Sequence, residues 1–210
     1  MGYTFSGVAS DSSSGNVSSV TLNIGPTPSP FVVVAADIQS GGVAPTSLTV
    51  GGVALHLDAN DASQLQFIYS GTVTGLSGNQ TVTWTVAGSS FFIRAYSLWY
   101  TSDNISLSTT GSQDSGLGAA LGISVAAGNY MFASARLGGT AIFTGTVAPN
   151  GQRVTGGAVN DSSADWAILA NNPSFSITNS QGNAWNAVAA TYAVASSAAA
   201  FSYISASYIQ

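Results

Sequence analysis

Ser47-Leu48-Thr49-Val50-Gly51-Gly52-Val53-Ala54-Leu55 decides the fold. Two short apolar runs flank a Gly-Gly pair, and two glycines can supply the positive φ that both central residues of a type I′ turn require. The stretch predicts a tight β-hairpin. Downstream, Thr81-Val82-Thr83-Trp84-Thr85-Val86 alternates with period two. Val82, Trp84 and Val86 are expected inward and the three threonines outward. Leu65, Phe67 and Tyr69 share one face, with Gln66 and Ser70 on the other. Residues 31–36 and 91–100 are apolar on both faces, as expected of central strands covered from both sides.

Working outward, further strands are predicted at 17–24, 122–126, 130–135, 141–147, 166–170, 174–178, 187–194 and 201–209. Gly128-Asn129, Pro149-Asn150-Gly151 and Asn171-Asn172-Pro173 punctuate them as turns. The alanine-rich stretch 184–200 has helix propensity, yet Val188, Thr191, Tyr192 and Val194 favour a strand. Many short strands at close spacing mean an all-β protein with little or no helix, a sandwich or barrel. The fold expected here is an antiparallel β-sandwich.

Composition points the same way. Only 5% of the 210 residues are charged and the net charge is −5. There is no Lys and no Glu; Arg94, Arg136 and Arg153 are the cations and every acid is Asp. The straight-chain residues that coat exposed helices are scarce, and Ser, Thr, Gly, Asn and Val replace them. Nucleic acid is an unexpected partner, because binding it needs clustered cations. Anionic membrane surfaces are disfavoured for the same reason, and no apolar run approaches the length of a spanning helix. Cysteine is absent, which excludes disulfides and thiolate metal sites. The residues after Met1 lack the basic and apolar regions of a signal peptide. If Met1 is the natural start, folding takes place in a cytoplasm.

One sandwich domain is expected over residues 1–195, with 1–24 as an outer strand and 25–30 as a stiff Pro-rich turn. Residues 111–118 read as a mobile loop or a midline connection, and no repeat of fixed period is visible. Residues 196–210 form a C-terminal strand or tail. Phe201, Tyr203, Ile204 and Tyr208 make it apolar and charge-free, and an uncharged exposed edge invites pairing with another chain. These four residues are the expected contacts to a neighbouring subunit, the alternative being a strand sealed inside the chain's own sheet.

Candidate chemistry is sparse. His56 is the sole histidine, and its parity opposes that of Leu55 and Leu57, so it is expected to face solvent or a neighbour. A Ser-His-Asp triad would have to use it, but no G-x-S-x-G elbow exists. No catalytic residue and no cofactor are assigned. Asp58, Asn60 and Asp61 offer the hard oxygen ligands calcium prefers, as do Asn160, Asp161 and Asp165. Against this stands the ordinary role of such residues, which bond their own backbone in turns. Trp84 shares parity with Val82 and belongs to the core, whereas Trp99 and Tyr100 must face opposite ways.

The hairpin at 47–55 resembles the "S-V-T-Y-G-G-V-A-L" hairpin of a β-sandwich domain of bacteriophage virion structural proteins, also found in some bacterial surface proteins. Further counterparts are the strand at 31–36, Gly78-Asn79-Gln80-Thr81-Val82-Thr83-Trp84, the aromatic strand at 91–100, residues 124–130 and residues 184–190. The resemblance covers roughly residues 17–195. It implies a jelly-roll-like winding of the sandwich and a non-catalytic virion component, such as a capsid decoration protein, head spike or tail-associated module. Its partners would be other virion proteins and copies of itself. The charge-starved composition agrees, since charged side chains are depleted in interface cores. The alternative is a carbohydrate-binding adhesion module that meets a host surface glycan.

Overall fold

The computed structural model describes residues 4–10, 19–38, 45–61, 66–85, 93–102, 104–116, 120–124, 129–138, 143–145, 151–156, 161–169, 174–179 and 185–194. Every regular element among them is a strand, and all pairings are antiparallel.

The first nine strands are β1 (Thr4–Ser10), β2 (Ser19–Asn23), β3 (Phe31–Ile38), β4 (Ser47–Val50), β5 (Val53–Ala54), β6 (His56–Asn60), β7 (Gln66–Thr72), β8 (Asn79–Thr85) and β9 (Ile93–Thr101). They form two sheets. The larger has the order β1-β9-β3-β7, extended by β6 at the β7 edge; the smaller has the order β2-β8-β4-β5. Most successive strands change sheet, which is the jelly-roll winding. The hairpin forms as the glycines predict: Gly51 and Gly52 have φ of 57° and 83°, and Val50 pairs with Val53.

The remaining strands are β10 (Ile105–Gly116), β11 (Ala120–Ser124), β12 (Tyr130–Gly138), β13 (Phe143–Gly145), β14 (Gly151–Gly156), β15 (Asp161–Leu169), β16 (Ser174–Asn179) and β17 (Trp185–Val194). Their sheets run β10-β17-β12-β15-β14 and β11-β16-β13. This repeats the first winding strand for strand. β10, β11, β12 and β13 answer β1 to β4, and β14 to β17 answer β6 to β9; β5 has no counterpart among the described residues. Registers agree too. Phe31 lies between Thr72 and Thr101 as Tyr130 lies between Leu169 and Tyr192. Val82 lies between Val20 and Val50 as Ile177 lies between Leu121 and Gly145.

Among the described residues no strand pairs across residues 102–104. Where one sandwich was expected over residues 1–195, the described strands wind two, over residues 4–101 and 105–194, and these share a face. The repeat escapes the sequence because equivalent register positions carry different residues, as Val82 and Ile177 or Leu48 and Phe143 do.

Alternation explains the packing. Val32, Val34, Phe67, Tyr69 and Leu98 point from the first large sheet onto Leu22, Leu48, Val50, Val82 and Trp84 of its small sheet. Their neighbours Val33, Ala35, Ile68 and Trp99 point the other way. They meet Tyr130, Phe132, Val188, Ala190 and Tyr192 on the second large sheet. The first large sheet is therefore buried on both faces, as its doubly apolar strands require. Trp99 joins this seam while Tyr100 packs on the first core.

The alanine-rich segment is the strand β17, not a helix. Ala187 and Ala189 are buried on one face, and Val188, Ala190 and Tyr192 on the other. Two expectations fail. Residues 111–116 continue β10 instead of looping, and Asp161 and Asp165 lie within the strand β15 instead of a turn. The β10 stretch is rich in β-formers up to Thr110 and finds a full-length partner in β17.

Candidate functional site

The polar groups that sequence reading singled out converge where β6 meets the second jelly roll. β6 pairs with β7 through His56↔Ser70 and Leu57↔Tyr69, then skips a residue before Ala59↔Ile68. Asp58 is the extra residue of a β-bulge. Bulges re-aim side chains, and here Asp58 and Ala59, adjacent in sequence, both serve the seam.

The Asp58 carboxylate is held from two sides. His56 Nδ1 lies 2.9 Å from Oδ1, and the Tyr192 hydroxyl donates to Oδ2 over 2.5 Å. The side chains differ sharply in exposure, 78% for His56 and 2% for Asp58. The histidine sits on the rim and the carboxylate inside. Burial pushes the Tyr192 phenol well above its ordinary range, and the neighbouring Asp58 charge and its hydrogen bond add to this. A hydrogen bond with the Ser70 side chain acts in the opposite direction. Both effects of Asp58 keep Tyr192 a neutral donor, as a buried carboxylate requires.

Asp61 repeats the arrangement one turn of chain later. It is fully buried. Its Oδ1 accepts the Gln66 backbone N–H at 2.7 Å, and its Oδ2 accepts Nδ2 of Asn186 on β17 at 2.8 Å. The first bond staples the ends of the β6–β7 connection, the local role expected of a turn aspartate. The second reaches the other jelly roll. Asn60 is exposed, and its amide donates to the Asp61 carbonyl. Gln66 and Ser70, expected on a polar outer face, are buried, because that face is covered by the second jelly roll.

Of the calcium candidates, Asp58 and Asp61 have both carboxylate oxygens engaged by protein donors. Among the described residues no three acidic or histidine groups gather as a metal site. Asn160 lies outside the described residues, as do the contact residues Phe201, Tyr203, Ile204 and Tyr208. An open cleft of about 240 Å³ lies at the seam's mouth, lined by Asp58, Ala59, Asn60, Thr110 and Gly111. Chemically, the cluster is a set of buried hydrogen-bond acceptors fastening β6 to β17. His56 and Asp58 are bonded to each other, while Ser70, across the strand pair from His56, bonds Tyr192.

Sequence reading flagged Asp58 and Asp61 but assigned them to turns or a metal. It missed Tyr192 and Asn186, which lie 134 and 125 residues from their carboxylates. Only a polar residue interrupting an apolar strand hinted at Asn186. Compared with known proteins, the chain matches no family, no curated protein and no solved structure.

Proposed function

We propose that this chain is a non-catalytic structural protein of a bacteriophage virion that works through protein–protein contacts. The observation that carries this reading is the outer face of the β2-β8-β4 sheet. Ser19, Thr21, Asn23, Asn79, Thr81 and Thr85 are exposed there, with Ser47, Thr49 and Thr83 half-buried, and none is charged. Soluble domains ordinarily interleave both charge signs on such a surface, whereas interface cores are depleted of charge. The jelly roll itself recurs in viral capsid proteins, although fold alone does not assign a role.

Antibodies raised against the chain and applied to purified particles from its source test the proposal. Stoichiometric labelling is expected, with hundreds of copies for a capsid position and a handful for a tail position. Absence from the particles overturns it. The proposed tail contact through Phe201, Tyr203, Ile204 and Tyr208 has its own test. A chain ending at Ser197 retains the whole of β17, so it is expected to stay folded and lose association in light scattering. Loss of cooperative folding would make the tail part of the core.

A second reading is a carbohydrate-binding module, favoured by the cleft at the seam. Asn60 and Thr110, both exposed, line it with acceptors and donors suited to sugar hydroxyls. Binding on a glycan array that disappears in Asn60→Ala would support this reading over the first.

A further inference from the structure

We infer that the seam is a like-to-like pairing surface made directional, and that Asp58, Asp61, Tyr192 and Asn186 select the other jelly roll as partner over a second copy of the same one. The two large sheets present equivalent faces. β3 lies against its own counterpart β12. The flanking contacts are reciprocal: β6 meets β10 and β17, and β14 meets β1 and β9; β7 meets β17, and β15 meets β9. Such reciprocity is the mark of an isologous interface, in which each partner offers the same patch. A surface of this kind fits a second copy of itself as readily as its intended mate unless something forbids it.

The registers show what forbids it. Phe31 pairs with Thr101 where its counterpart Tyr130 pairs with Tyr192. Thr101 therefore stands on the first jelly roll where Tyr192 stands on the second. By the same count Ala95, opposite Asp37, stands where Asn186, opposite Arg136, stands. If two first jelly rolls paired through this face, Asp58 would meet a threonine in place of the phenol. Where Asn186 supplies an amide to Asp61, the equivalent register position is held by Ala95, a residue type without a side-chain donor. Each of the two buried carboxylates on a side would lose the donor that reaches it from the second jelly roll.

If two second jelly rolls paired, Tyr192 would face β14. That strand pairs with β15 residue for residue, without a bulge, and carries no acid. Size adds a further bias. Val33 on the first face answers Phe132 on the second, and Trp99 answers Ala190. The Trp99 and Phe132 rings meet at 5.0 Å. A first–first pair would set Trp99 against Val33, and a second–second pair would set Phe132 against Ala190. The first doubles the larger pair and overfills the seam; the second doubles the smaller pair and leaves unfilled space. Built-in rejection of the wrong partner is how similar surfaces acquire specificity.

The chain has no cysteine, so a single Val33→Cys reports first–first pairing through an interchain disulfide. Equal amounts of ¹⁴N- and ¹⁵N-labelled full-length chains are refolded together at high concentration and oxidised. Heavy–light disulfide-linked pairs are then counted by mass spectrometry. With the fastening residues intact, few are expected. Adding Asp58→Asn and Asp61→Asn removes the charges that reject the wrong partner while preserving shape. The linked fraction should then rise at least fivefold. If circular dichroism shows that variant unfolded, Val33→Cys with Tyr192→Phe takes its place. It weakens only the correct pairing, so its linked fraction should also rise. Equal linked fractions in Val33→Cys and the folded variants overturn the inference. So does efficient linking by Val33→Cys alone, because a directional seam would prevent it.

Discussion

Asp58 and His56 are bonded to each other, yet burial gives them unequal weight. Removing the Asp58 carboxylate leaves the Tyr192 hydroxyl without its acceptor inside the seam, which costs about 1–3 kcal/mol. Removing the imidazole breaks a bond on the exposed rim, where such pairs contribute about 0–1 kcal/mol. Urea denaturation of Asp58→Ala and His56→Ala is therefore expected to separate them, with the aspartate variant much the weaker. Phenols provide a second test. Burial pushes Tyr69 up to about 12, and its hydroxyl donates to the Pro45 carbonyl; Tyr192 is raised for the reasons given above. A raised phenol means that the folded state holds its proton more tightly than the unfolded chain, whose tyrosines ionise near 10. The associated stability is complete below pH of about 10 and is lost as pH rises through the folded values. Ultraviolet titration should show late-ionising tyrosines, and denaturation midpoints should fall with pH above about 10. A flat midpoint from pH 10 to 12 would contradict the buried placement.

At the scale of elements, the hairpin of β4 and β5 follows from its sequence. Both glycines hold positive φ, and a Cβ on Gly51 would come within 2.5 Å of Leu76 Cδ1 and Gln80 Oε1. Gly51→Val should therefore cost more than the roughly 1–2 kcal/mol of a left-handed residue alone, read as a lower thermal midpoint. An unchanged midpoint would mean that the turn can adopt another type. β8 was equally legible, because its outward threonines have no neighbouring layer to contradict the alternation. β7 was half legible. Phe67 and Tyr69 turned inward as predicted, but Gln66 and Ser70 looked like a solvent face and are buried. β17 was ambiguous by propensity, since alanine favours helix. It is a strand because β10 and β12 flank it on either side, and its small side chains fit a sheet covered on both faces. The β6 bulge left no sequence mark: one extra residue in a strand is defined only against its partner.

For the whole molecule, the seam is lined by large side chains from both jelly rolls. Trp99, Tyr130, Phe132 and Tyr192 are all essentially buried. Neither jelly roll can unfold without exposing that surface to water, at about 25 cal/mol per Å² of apolar area. Heating should therefore give one transition, with circular dichroism and tryptophan fluorescence tracing the same curve in a calorimetrically two-state melt. Two separated transitions would show that the halves are held together more weakly than their shared face implies.

Composition and alternation by themselves determined the all-β class, the Gly-Gly turn and the doubly covered central strands. Each depends on spacing within a few residues, where backbone sterics and side-chain polarity act directly. Tertiary structure alone decided that there are two windings instead of one, and that Asp58 and Asp61 fasten them. A repeated topology needs only matching sidedness, which Val, Ile, Leu and Phe satisfy interchangeably, so no repeat survives at the level of letters. A buried carboxylate is defined by the donor that meets it, and here that donor lies more than a hundred residues further along the chain.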